Sequence, residues 1–142
     1  MTVDQGTGEV QENGFAIKRG ADLLAFEPTN PAEMERFIRE ANGLLEEMPN
    51  LLLEINDRRY AAERAYSRKK NTRLAGYGKA GVAVTFARAQ AEADAIEELE
   101  TWHNTKAEYH HAESTERALR TKVYSMLNIN KAITALYGAH RS

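Results

Sequence analysis

The sequence predicts an all-α protein, and three features carry that reading. Proline stands only at positions 28, 31 and 49, so the 93 residues from Asn50 onward contain none. That proline-free region is dominated by Ala, Glu, Leu, Arg and Lys, the composition of long helices. Apolar residues recur at steps of three and four, and no stretch shows the alternation of a half-buried strand. The expected architecture is an elongated helical hairpin with a long C-terminal coiled-coil-like helix, and the protein is expected to be oligomeric.

Residues 1–29 read as a flexible acidic N-terminal arm. They are poor in large apolar side chains until Phe15, Leu23, Leu24 and Phe26, and glycine stands at 6, 8, 14 and 20. With so few anchors this arm is expected to be dispensable for folding. The helical domain spans 30–142. Its first helix, 31–47, opens with Asn30 as N-cap, Pro31 as first helical residue and Glu33 and Glu35 in the positive first turn. Met34, Phe37, Ile38, Ala41, Leu44 and Leu45 form its apolar stripe, and Pro49 is expected to stop it. The second helix, 51–74, carries Leu52, Ile55, Arg59, Ala62, Tyr66, Lys69 and Arg73 on one face, apolar at first and then basic. Gly76, Gly78 and Gly81 mark a reversal.

The third helix, 82–137, carries the longest pattern. A seventeen-position seam includes Phe86, Ile96, Leu99, Trp102, Tyr109, Leu119, Val123, Met126 and Ile133. Its mean step of about 3.4 residues is close to the 3.5 of a coiled coil. Unbroken, such a helix would be roughly 80 Å long. The second helix alone would not cover that stripe, so these nine residues are expected to join subunits of a homo-oligomer.

The charge is segregated. Nine basic residues and one acid lie between Arg58 and Arg88, a block of +8, whereas residues 1–57 sum to −8 and residues 89–142 to −2. A concentrated positive field recruits polyanions. Arg64, Arg68, Lys69, Lys70, Arg73, Lys79 and Arg88, with Tyr77 as a stacking platform, are the expected nucleic-acid-binding residues. Guanidinium and ammonium groups meet phosphates, and tyrosine rings accept unpaired bases. No base-reading motif is present, so binding would follow the backbone and be indifferent to sequence. The competing explanation is a solvated face whose charges pair with the acidic first third.

Other chemistry is thinly supported. Gly76-Tyr77-Gly78-Lys79-Ala80-Gly81 lacks the four-residue gap and the Ser/Thr of a phosphate loop. Glu100-x-x-His103 and Glu108-x-x-His111 each match the pair used by di-iron bundles, but both fall on one helix, and surface histidines explain them equally. No catalytic residue, metal site or cofactor is expected. Cysteine is absent, and no apolar run would span a membrane, which fits a cytoplasmic protein with no membrane partner.

The order of parts resembles the phage recombination mediators of the UvsY type over residues 50–135. The resemblance rests on the apolar-to-basic helix, on Arg73-Leu74-Ala75-Gly76-Tyr77-Gly78, and on a long Ala/Glu-rich helix with Arg117-Ala118-Leu119 and Ser125-Met126-Leu127. It implies a non-enzymatic, oligomeric, phage-encoded protein that binds single-stranded DNA as an accessory to recombination or replication and helps to load a recombinase. Its implied partners are single-stranded DNA, a recombinase and a single-strand-binding protein, in the host cytoplasm. Arg73 matches the second member of the family's basic pair, and Asn71 stands where the first would fall. Residues 1–49 have no counterpart. The alternative is a coiled-coil adaptor or structural phage protein whose basic face meets another protein.

Overall fold

The computed structural model of the chain describes the backbone of residues 5–141 and the side chains of residues 14–138. Four helices follow one another: α1 (Gln5–Ala25), α2 (Pro31–Lys79), α3 (Val84–Asp94) and α4 (Ile96–Arg141). No strand occurs among the described residues, and none of their helices is long and apolar enough to cross a membrane. The chain divides into two compact units, Met1–Leu51 with Ala112–Ser142, and Leu52–His111.

In the first unit, α2 opens as its sequence dictates. The Asn30 side-chain oxygen accepts the Glu33 N–H at 2.9 Å, and the Glu33 carboxylate accepts the Thr29 N–H and hydroxyl at 2.8 Å each. These bonds satisfy donors that a helix start leaves open. The bonds from Thr29 hold the Glu33 carboxyl below its usual pKa. The core gathers Leu23 of α1, Met34, Phe37, Ala41, Leu44, Met48 and Leu51 of α2, and Ala112, Leu119 and Val123 of α4.

Three expectations are corrected here. Residues 5–25 are not a loose arm but helix α1; residues 1–4 lie outside the described residues. Gly20 lets α1 approach closely: a Cβ there would stand 2.7 Å from Thr115 Cγ2 and 3.6 Å from Leu44 Cδ2. The α1 carboxyl end is held by Lys122, whose Nζ donates to the carbonyls of Leu23 at 2.9 Å, Leu24 at 2.8 Å and Phe26. Second, Pro49 does not stop a helix, and the expected helices 31–47 and 51–74 are one. An internal proline forfeits the bond to the carbonyl four residues back, at about 3 kcal/mol. Pro49 is exposed, while Met48 and Leu51 on either side are buried. Burying side chains of that kind contributes about 1.5–3 kcal/mol each, which offsets the loss.

Third, the expected 82–137 helix is interrupted at Ala95, whose φ of −101° and ψ of 16° leave the helical region. The seam divides with it. Phe86 and Ile96 are exposed, and in the second unit the buried positions of α3 and its end are Ala87, Ala91 and Ala95. Alanines at steps of four allow a close helix approach that large seam residues would prevent. Leu99, Trp102, Tyr109, Met126 and Ile133 are half-buried. Leu119 and Val123 are buried by the chain itself, so they need no second subunit to cover them.

Candidate nucleic-acid interface

The interface candidates belong to the second unit, where α2 runs from Leu52 to Lys79. Ile55 and Ala62 mark its buried face. Three turns beyond Ala62 that face reaches Arg73, having passed from aliphatic to aromatic and cationic side chains. Tyr66 stacks on Trp102 of α4 with ring centroids 5.8 Å apart, and Lys70 Nζ lies 5.3 Å from the Tyr66 centroid. The helix then ends in a Schellman motif. The Val82 N–H donates to the Tyr77 carbonyl at 3.1 Å and the Gly81 N–H to the Gly78 carbonyl at 3.2 Å. Gly81 supplies the left-handed residue at φ 78°. Gly76 and Gly78 lie inside the helix rather than in the reversal.

Part of the basic block is committed within the unit. Arg58 forms a two-pronged pair with Glu108, at 2.9 and 3.3 Å. The Arg59 guanidinium lies over Tyr60 at 5.0 Å and over Tyr109 at 4.8 Å. Lys69 pairs with Glu98 at 3.6 Å. The acids that answer the block here come from α4, not from the acidic first third as the competing explanation supposed. The unit as a whole holds ten basic and nine acidic residues. Its positive field therefore depends on which cations remain unpaired.

Those are Arg64, Arg68, Arg73, Lys79 and Arg88. All five are exposed, and none has an ion pair among the described residues. They do not share one face. Arg64 and Arg68 are one turn apart, and Lys79 lies three turns beyond Arg68, so these make an outward stripe about 22 Å long. Arg73 lies with Lys69 along an open groove, and Arg88 projects from α3. Lys70, over the Tyr66 ring, is half-buried.

Tyr77 is not a free platform. Its hydroxyl donates a short hydrogen bond to Asp94, whose other oxygen accepts from Gln90 Nε2 at 3.1 Å. The bond to Asp94 raises the phenol above its usual pKa, and the same bond lowers the Asp94 carboxyl. Sequence reasoning missed Gln90 and Asp94; the available signal was a polar pair four residues apart on an otherwise alanine-rich helix. Lys69, Thr72, Arg73, Gly76, Tyr77 and Ala80 line an open groove of about 550 Å³.

The metal alternative finds little support in the geometry. Glu100 and His103 are exposed, Glu108 is engaged by Arg58, and no group of three or more potential ligands occurs among the described residues. The chain matches no protein-family model, no curated protein and no solved structure.

Proposed function

We propose that this protein is a non-enzymatic binder of single-stranded DNA, acting through the second unit. The observation that carries the reading is the set of five exposed cations, Arg64, Arg68, Arg73, Lys79 and Arg88, none of which forms an ion pair among the described residues. Cations already neutralised by protein carboxylates release few counterions on binding; unpaired ones contribute the full electrostatic gain. With no base-reading array, contacts follow phosphates and sequence is not read. A role as recombination or replication accessory, loading a recombinase in the manner of the phage mediators, rests on the resemblance across residues 50–135. Fluorescence anisotropy with single-stranded and duplex oligonucleotides at two salt concentrations tests the reading. Binding that weakens with salt and favours the single strand supports it.

A second reading has its own observation. Val84 and Phe86, 65% and 64% exposed, stand on α3 near Arg88, and Ile129, Leu136 and Tyr137 are exposed on α4. Apolar side chains beside cations also suit an adaptor that docks on an acidic protein. No response to either oligonucleotide, from a folded protein, favours that reading.

A further inference from the structure

The first unit packs three helices and leaves one face open. Phe37 of α2 lies beside Lys122 of α4, and a Cβ on Gly20 of α1 would meet both Leu44 and Thr115. In this unit α2 and α4 therefore run antiparallel, with α1 against both. α1 takes one side, where Arg19 pairs with Glu47 at 3.7 Å and Phe26 stacks on Phe37 with centroids 6.4 Å apart. The other side is a groove between α2 and α4 of about 380 Å³. Leu45, Val123, Tyr124 and Leu127 are its apolar lining, and Tyr124 is 63% exposed.

The two edges of this groove carry opposite charge. Asn42 and Glu46 form the α2 edge, and Arg120 stands on the α4 edge. Glu35 lies eleven residues before Glu46, and Lys131 lies eleven residues after Arg120. Eleven residues make three turns, so each stays on the edge of its fellow, about 17 Å along. Because the helices are antiparallel, both steps lead the same way. All four charged groups are exposed. Glu46 and Arg120 line one groove but do not meet across it. Arg120 bonds Glu116 at 2.7 Å, and neither Glu46 nor Lys131 has an ion pair among the described residues. The bias extends along both helices: Pro31–Leu51 holds five acids and two bases, and no acid follows Glu116.

We propose that a second copy of this chain covers this face. A two-fold axis parallel to the helices sets α2 of each copy against α4 of the other and keeps every residue at its level along the axis. Glu46 then meets Arg120 of the second copy, and Glu35 meets Lys131. Leu45, Tyr124 and Leu127 of both copies close over one apolar centre. The four helices form a bundle in which all neighbours are antiparallel. An isologous interface must complement itself. Acids on one edge and bases at equal spacing on the other give this face that property. The contact is two helices wide and about 17 Å long, at the small end of specific interfaces, so the dimer is a micromolar one. This surface belongs to the first unit and does not rest on the nucleic-acid reading.

Sedimentation velocity of the full chain across the micromolar range tests the proposal. Wild-type protein should pass from monomer to dimer mass as its concentration rises. Glu46→Arg and Arg120→Glu, each alone, should remain monomeric, because like charges then face each other. An equimolar mixture of the two variants should regain the dimer, since unlike charges meet at both crossings. Both positions are exposed, so each variant should keep its helical circular dichroism. Tyr124→Ser adds no charge and should also weaken the dimer; it replaces either reversal that loses helical signal. Wild-type protein that stays monomeric throughout would overturn the proposal. A dimer unchanged by all three substitutions would place the interface elsewhere and overturn it too. A mixture of folded variants that stays monomeric would overturn the pairing of Glu46 with Arg120.

Discussion

Lys122 holds the end of α1 with one ammonium group and no carboxylate. Its Nζ donates to the carbonyls of Leu23, Leu24 and Phe26 and lies 4.9 Å from the centre of the Phe37 ring. Lys122→Met keeps the length and apolar stem while removing the charge and the three bonds. At least one part-buried carbonyl then loses its donor, at about 1–3 kcal/mol. The lost interaction with the ring adds about 0.5–1 kcal/mol. The lost cation at a helix carboxyl end adds about 0.3–1 kcal/mol. Together these give a destabilisation of about 2–5 kcal/mol. For a unit of roughly eighty residues, at about 4–8 °C per kcal/mol, that corresponds to a fall in Tm of at least roughly 8 °C. Thermal melts followed by circular dichroism measure the shift, and amide exchange locates it. Protection should fall first in the last turns of α1. A Tm within about 2 °C of wild type, well inside the unperturbed range, would refute the clamp.

Removing residues 1–29 should lower the Tm and expose the buried faces of Phe37 and Leu44; a melt unchanged by the truncation would show that α1 does not dock. Gly20→Ala should destabilise, because the new Cβ would stand 2.7 Å from Thr115 Cγ2 and overpacking costs about 1–3 kcal/mol. Gly43→Ala, with nothing within 4 Å, should instead stabilise by about 1 kcal/mol in the same melts; equal shifts at both sites would contradict the packing described. The Tyr77–Asp94 bond should show a pH signature. The lowered Asp94 pKa means its contribution is present above the ordinary carboxylate range near 4 and is lost as pH falls through the lower folded value. The raised Tyr77 pKa means its contribution is present below about 10 and is lost as pH rises through the higher folded value. Tyr77→Phe should abolish the alkaline loss, read from Tm against pH, and an unchanged profile would contradict the assignment.

Helix content was legible because it is set locally. The Asn30–Pro31–Glu33 start and the glycine end at Gly81 appear in the structure much as the side-chain chemistry requires. What escaped the sequence depended on tertiary contact. Pro49 reads as a terminator until Met48 and Leu51 are known to be buried beside it. Gly20 reads as looseness until Thr115 and Leu44 are known to close on it. The seam drawn through Phe86 and Ile96 followed the largest side chains, whereas the buried face follows Ala87, Ala91 and Ala95, where small size permits contact. The basic block was visible as charge, but its division into paired and unpaired cations was not. That division needs Glu98 and Glu108, which lie 29 and 50 residues from Lys69 and Arg58 along the chain.

The central claim is that the unpaired cations of the second unit bind single-stranded DNA through its phosphates. The most direct measurement is anisotropy of a labelled oligothymidylate titrated with protein across a salt series. Each neutralised phosphate on a single strand contributes about −0.7 to the slope of log affinity against log salt. Engagement of Arg64, Arg68, Arg73, Lys79 and Arg88 therefore gives a slope of roughly −3 to −4. Replacing Arg64, Arg68 and Lys79 by alanine should weaken binding and flatten the slope to about −1.4, leaving Arg73 and Arg88. Absence of binding at low salt by the folded protein, or a slope that the triple substitution does not change, would contradict the account.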